Sequence, residues 1–210
     1  MDSFVQNTAG RPKDLEKRKD ILEAAKSLFL KYGYHGSSMN QIAKEAGVTK
    51  LTVYNHFQDK ENLFSCAIED TCENTISADG LQLSADSDFE QELYRASELA
   101  LNVINLPEAI KLEYLLLELA AENNPLAIKF YNASHQRMCL IWSDFFQKAA
   151  QFGFIRADDP EKQTQLLLSL LLGARHHEIL LGIGQIPTKS EQKQIILESI
   201  ELFLLKYSVK

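Results

Sequence analysis

Apolar residues recur at helical spacing along almost the whole chain, and no stretch reads as a strand. Ile21, Leu22, Ala25, Leu28, Phe29 and Tyr32 predict an amphipathic helix over 14–32, ended by Gly33. Ile42, Ala43 and Ala46 follow Ser38, then Gly47 marks a sharp turn, and Val53 and Phe57 follow Thr49 at a four-residue interval. A fourth helix starts at Asp59 and turns Leu63, Phe64, Ala67, Ile68 and Thr71 inward. Residues 77–88 lose the periodicity and gain glycine, serine and aspartate, which predicts a loop. Further helices are expected over 89–104, from Pro107 through Ala120, from Asn124-Pro125 to Phe152, from Asp159-Pro160 onward, and from Thr188 or Ser190 to about Tyr207. The fold class is therefore all-α, with about nine helices: a small N-terminal bundle over 11–75 and a larger helical domain over 76–210.

The second and third helices, short and joined at Gly47, have the form of a helix-turn-helix that reads DNA. Ser38 and Gln41 have capping-box spacing. With Val53 and Phe57 facing inward, Thr49, Lys50, Leu51, Thr52, Tyr54, Asn55 and His56 are left mostly outward as donors for bases and phosphates. Lys60, at the start of the fourth helix, adds a cation to free backbone N–H groups, a plausible phosphate clamp. Gly10-Arg11-Pro12-Lys13 reads either as an extended basic arm able to enter the minor groove or as a solvated tail that touches phosphates alone.

Charge changes the picture once the chain is divided. The net charge is −7, which on its own argues against a nucleic-acid partner. Residues 1–60 hold ten Lys and Arg against seven Asp and Glu, a balance of +3, whereas 61–210 hold twelve against twenty-two, a balance of −10. A basic head on an acidic body confines attraction for phosphates to one end. Cys66, Cys72 and Cys139 show no paired spacing and read as reduced thiols of a cytoplasmic protein. The apolar run from Leu166 to Ile183 is interrupted by Arg175, His176, His177 and Glu178, so no membrane span is expected.

The run Ile21-Leu22-Glu23-Ala24-Ala25-Lys26-Ser27-Leu28-Phe29, Gly33-Tyr34, Ser37-Ser38-Met39, Ile42-Ala43, Ala46-Gly47-Val48, Val53-Tyr54, His56-Phe57 and Asp59-Lys60-Glu61-Asn62-Leu63-Phe64 resembles the DNA-binding domain of the TetR family of bacterial transcription regulators. The likeness covers about residues 11–75. It implies that Lys50, Leu51 and Thr52 approach bases and that Tyr54, His56, Lys60 and Ser38 hold phosphates. Many members of that family carry glycine or proline where this chain has Leu51. The segment from Ala121 to Tyr131 is similar to the AefR-like branch of C-terminal domains.

The long helix expected after Pro125 carries Tyr131, His135, Met138, Trp142 and Phe145 on one apolar, aromatic face. That face fits plain core packing, and it fits a pocket for a small hydrophobic or aromatic effector. The TetR-like resemblance places a ligand pocket here, with Tyr114, Glu118, Arg175 and His176 as further candidates. His135 and Cys139 share a helix face, yet no second close pair completes a metal site, so no metal and no cofactor are expected. The two last helices hold more leucine than one buried face needs, which suits a homodimer seam. No G-x-S-x-G or nucleotide loop occurs, and no catalytic residues are expected. The leading expectation is a homodimeric repressor released from a palindromic double-stranded DNA operator by a small molecule. The alternative is a regulator of the same build that answers to a protein partner or to no effector.

Overall fold

The computed structural model describes residues 11–75 and 81–209, with the side chains of residues 11–13, 74 and 75 left out of the description. The polar N-terminus (1–9) lies outside the described residues, as does the first part of the loop expected over 77–88; residues 81–88 are non-helical. Among the described residues there are nine helices and no strand beyond a single bridge between Ile155 and Ser208. No described helix is long and apolar enough to cross a membrane.

Helix α1 (Arg11–Gly36) begins three residues earlier than the periodicity suggests and takes in Arg11, Pro12 and Lys13. The backbone read as either an extended arm or a solvated tail is therefore helical from Arg11, with the proline in the first turn, where its missing N–H costs no hydrogen bond. Gly33 breaks α1 with φ 73 and ψ 177, and a short helical turn follows it. Ile21, Ala25, Leu28 and Phe29 are buried against Leu63, Phe64, Ala67 and Ile68 of α4 (Lys60–Thr75). Between them lie α2 (Met39–Glu45) and α3 (Lys50–Phe57), with the Ser38 hydroxyl accepting from the Gln41 N–H and Thr49 from the Thr52 N–H. Gly47 supplies the left-handed turn between them at φ 65.

The body contains α5 (Phe89–Ile104), α6 (Pro107–Ala121), α7 (126–151), α8 (Pro160–Leu180) and α9 (Lys189–Tyr207). The helix expected to run unbroken to Phe152 is interrupted: α7 holds a π turn over Asn132–Gln136 between Leu126–Tyr131 and Arg137–Gln151. Such turns insert a residue into the helical register and recur at functional sites.

Two hydrophobic cores result, and their division does not follow the head and body. The first joins α1–α4 to Leu115, Leu116 and Leu119 of α6 and to Leu126 and Phe130 at the start of α7. The second gathers α5, the C-terminal part of α7, α8 and α9 around Trp142, Phe145, Phe146, Leu167, Ile196 and Phe203. The π turn falls where α7 passes from one core to the other.

Candidate nucleic-acid interface and ligand cavity

Val53 and Phe57 are fully buried and pin α3 to the head. Lys50, Leu51, Tyr54 and Asn55 are exposed, as is the cap Thr49, so the N-terminal half of α3 presents a continuous outward face. Leu51 stands out at 69 % exposure, an unsupported apolar side chain on a polar surface. The Lys50 ammonium lies 5.6 Å from the Tyr54 ring centroid, which aligns the two side chains along one edge. Thr52 is half-buried, and its hydroxyl hydrogen-bonds that of Thr49 at 2.8 Å. Ser38 is exposed, with its hydroxyl donating to the Gln41 side-chain oxygen at 2.8 Å.

Two of the expected phosphate-facing groups turn inward. The His56 ring is half-buried, and its Nε2 lies 3.2 Å from Oδ1 of Asp14 on α1. Lys60 donates to the carbonyl oxygens of Tyr34 and Ser37 at 3.0 and 3.2 Å, and its ammonium sits 4.2 Å from the Tyr34 ring centroid. Burial holds its pKa below the usual lysine value. Lys60 therefore braces the start of α4 against carbonyls in the last turn of α1 and just beyond it. The described side chains do not include Arg11 and Lys13.

A cavity of about 240 Å³ lies between α4, α5, α6, α7 and α8. Thr71 and Cys72 of α4 form one wall, Leu112 and Glu113 of α6 another, and Leu168, Leu172 and His176 of α8 a third. The π turn supplies Ser134 and His135, flanked by Phe130, Tyr131 and Met138. His135 Nε2 lies 2.8 Å from Oε1 of Glu113, its Nδ1 lies 3.0 Å from the Ser134 hydroxyl, and its ring stacks on Tyr131 at 5.4 Å. His176 Nδ1 is buried without a hydrogen-bond partner among the described residues. Burial lowers the His176 pKa, opposed by the Glu113 charge and reinforced by His135 and His177. Burial also raises the pKa of Cys139 and pushes that of Cys72 up to about 11, so both thiols stay protonated. Among the described residues no group of three or more His, Cys, Asp or Glu is placed to hold a metal ion.

Of the nine expected ligand-binding residues, Tyr131, His135, Met138 and His176 line this cavity. Trp142 and Phe145 do not: both belong to the second core, Trp142 being 2 % exposed. The aromatic stripe of α7 continues past Cys139, but from there side chains of α5, α8 and α9 fill the space beside it. Tyr114 donates to the Ile179 carbonyl at 3.4 Å outside the cavity, and Glu118 lies beside Gly33. Arg175 lines a separate groove with Glu178, Glu191 and Glu198. Glu113, Cys72 and Leu172 were not distinguishable in the sequence, because Glu113 repeats the spacing of other carboxylates on α6, Cys72 read as a reduced thiol and Leu172 as one leucine of a long apolar run.

Comparison with known proteins agrees with this geometry. Residues 21–66 match the profile described as "Bacterial regulatory proteins, tetR family", and residues 91–209 match "AefR-like transcriptional repressor, C-terminal domain". This chain belongs to the TetR family. It is 32 % identical over 191 residues to the HTH-type transcriptional regulator SAR2658 of Staphylococcus aureus, covering 90 % of this chain and 91 % of that protein. A TetR-family transcriptional regulator from Mesorhizobium loti, 30 % identical, superimposes with a TM-score of 0.85 over 94 % of this chain and 99 % of that one. The flavonoid-responsive regulator FrrA superimposes with a TM-score of 0.78 at 26 % identity, over 92 % of this chain and 98 % of its own. The chain is thus a DNA-binding transcriptional regulator of TetR build rather than an enzyme, and its C-terminal domain is of the AefR-like kind.

Proposed function

We propose that this TetR-family regulator acts in the cytoplasm as a homodimeric repressor and that a small molecule in the α4–α8 cavity releases it from a palindromic operator. One observation carries the reading: α4 serves the DNA-reading head and the cavity at once. Phe64 packs in the head core and meets Phe130 at 6.2 Å, while Thr71 and Cys72, two turns further along α4, line the cavity. A ligand that prefers a different spacing of α4 and α7 moves the base of the head by whatever free energy that preference is worth. The repressor description of the matching C-terminal profile and the name of the structurally similar flavonoid-responsive regulator support this reading.

Apolar surface left uncovered on the last helices supports dimerisation. Leu197, Leu202 and Leu205 of α9 are exposed, as are Leu181 and Ile183 at the end of α8. Pairing two copies there would set two α3 helices to enter successive major grooves, about 34–36 Å apart. Lys50, Leu51 and Thr52 would then face bases, and Thr49, Tyr54, Asn55, Ser38, Arg11 and Lys13 the sugar-phosphate backbone. The test is a mobility-shift titration with the DNA upstream of the protein's own gene at several salt concentrations, with light scattering to size the complex. The expected result is one dimer per palindromic half-site pair, weakening steeply with salt. A strictly monomeric complex, or binding indifferent to salt, would overturn the reading.

A further inference from the structure

The cavity's polar groups select the charge of what enters it. Its carboxylate and imidazole lining among the described residues is Glu108, Glu113, His135 and His176, its two thiols and the Tyr131 phenol are neutral groups, and it includes no Lys or Arg. Arg137, whose charge reaches Cys72, is not free and does not line the cavity. An anionic ligand would therefore lose its hydration, meet two carboxylates and find no permanent cation to pair with. Most of the lining is apolar, and Phe130 together with the stacked Tyr131–His135 pair offers flat aromatic surface.

Two groups remain able to orient a ligand. His135 engages Oε1 of Glu113, which leaves acceptor capacity on the same carboxylate. His176 lines the cavity, and burial favours its neutral ring, which carries one nitrogen that donates and one that accepts, assigned by tautomer. A hydroxyl satisfies either tautomer, because it both donates and accepts. Size follows from volume: an apolar cavity of about 150 Å³ takes benzene, so about 240 Å³ suits a substituted ring or a fused pair.

We infer that the effector is an uncharged aromatic molecule of one or two rings bearing a hydroxyl, held through that hydroxyl by His176 with Glu113 beside it, and that carboxylates of the same shape are excluded. The inference rests on the reading of this cavity as the effector site.

The test uses the full chain and three probes of matched shape, 2-naphthol, naphthalene and 2-naphthoate, with calorimetric titration at pH 7.5. The expected order is 2-naphthol bound most tightly, with naphthalene and 2-naphthoate each weaker by about tenfold or more. His176→Phe should abolish the advantage of 2-naphthol over naphthalene while naphthalene still binds. Equal or tighter binding of 2-naphthoate, an unchanged preference in His176→Phe, or no binding of any probe would overturn the inference. Ala109→Trp, which fills the cavity, separates it from the reading beneath it. If 2-naphthol still binds a folded Ala109→Trp protein, the cavity is not the site. If that variant loses binding while 2-naphthoate rivals 2-naphthol in the unaltered protein, the site stands and the charge selection falls.

Discussion

The Lys60 ammonium donates to the carbonyl oxygen of Tyr34 at 3.0 Å, across 26 residues of sequence, and so ties the start of α4 to the end of α1. That bond, with its companion to the carbonyl oxygen of Ser37 at 3.2 Å, gives the start of α4 a charged donor against acceptors in the last turn of α1 and just beyond it. Lys60→Ala is expected to lower stability by about 1–2 kcal/mol, since charge-assisted bonds are worth somewhat more than neutral ones and solvent screens part of this one. Urea unfolding measures it. If stability is unchanged while operator affinity drops and the salt slope falls by about one, Lys60 holds a phosphate instead.

Base reading and backbone holding should separate on α3. Lys50→Ala and Leu51→Gly are expected to change preference among operator variants by about 1–3 kcal/mol at particular base pairs. Tyr54→Phe should weaken every sequence to the same degree. Competition binding against a library of single-base operator variants distinguishes them, and identical profiles for all three substitutions would refute the division of roles.

Phe130 is the aromatic side chain that the body places in the head core, 3 % exposed and with its ring 6.2 Å from that of Phe64. Phe130→Ala should cost about 3–5 kcal/mol, the usual range for a buried aromatic. Part of that loss should appear as faster hydrogen exchange in α4. Exchange that rises only within α7 would show that the two cores are not mechanically joined there.

The pH dependence of stability carries a signature of His176. Its folded pKa lies below the usual 6.5 because of burial, so between the two values the unfolded chain binds more protons than the native one. Stability contributed by this residue is therefore present above about pH 6.5 and is lost as pH falls toward the folded value; below that the dependence vanishes. Glu113, His135 and His177 face the same ring and modulate the shift. His176→Gln should flatten the fall in melting temperature between pH 7 and 5, as read by thermal unfolding across that range.

The head was legible because its signals are local. Ser38 and Thr49 cap the helices that follow them, Gly47 takes the left-handed turn, and Val53 and Phe57 disappear into the core. The contacts of Lys60 and His56 were not legible, because their partners, Tyr34 and Asp14, lie on another helix, and spacing along one helix says nothing about which neighbour a long side chain meets. The cavity was half legible. Tyr131, His135 and Met138 stood out as an aromatic and polarisable face, whereas the end of the cavity at Cys139 depends on how tightly α5, α8 and α9 close over Trp142 and Phe145. Neither the π turn nor the contribution of Glu113 leaves a periodic mark.

Dimer formation is expected to depend on α9. Leu205, 77 % exposed, and Leu197, 51 % exposed, are large apolar side chains open to solvent on α9. Replacing both by Asp should yield monomers by light scattering, with the fold retained by circular dichroism and operator affinity lost. A double variant that remains dimeric would place the seam elsewhere.

The described residues lining the cavity begin at Thr71, so none of them belongs to α1, α2 or α3. Substitutions that retune what the pocket accepts therefore leave untouched the surface that chooses a promoter, and the reverse also holds. Thr71 and Cys72 are the described exceptions, sitting on a helix that both tasks share. On the proposed reading, descendants of this chain could acquire new inducers while keeping old target genes, with the shared helix as the place where the two kinds of change would collide.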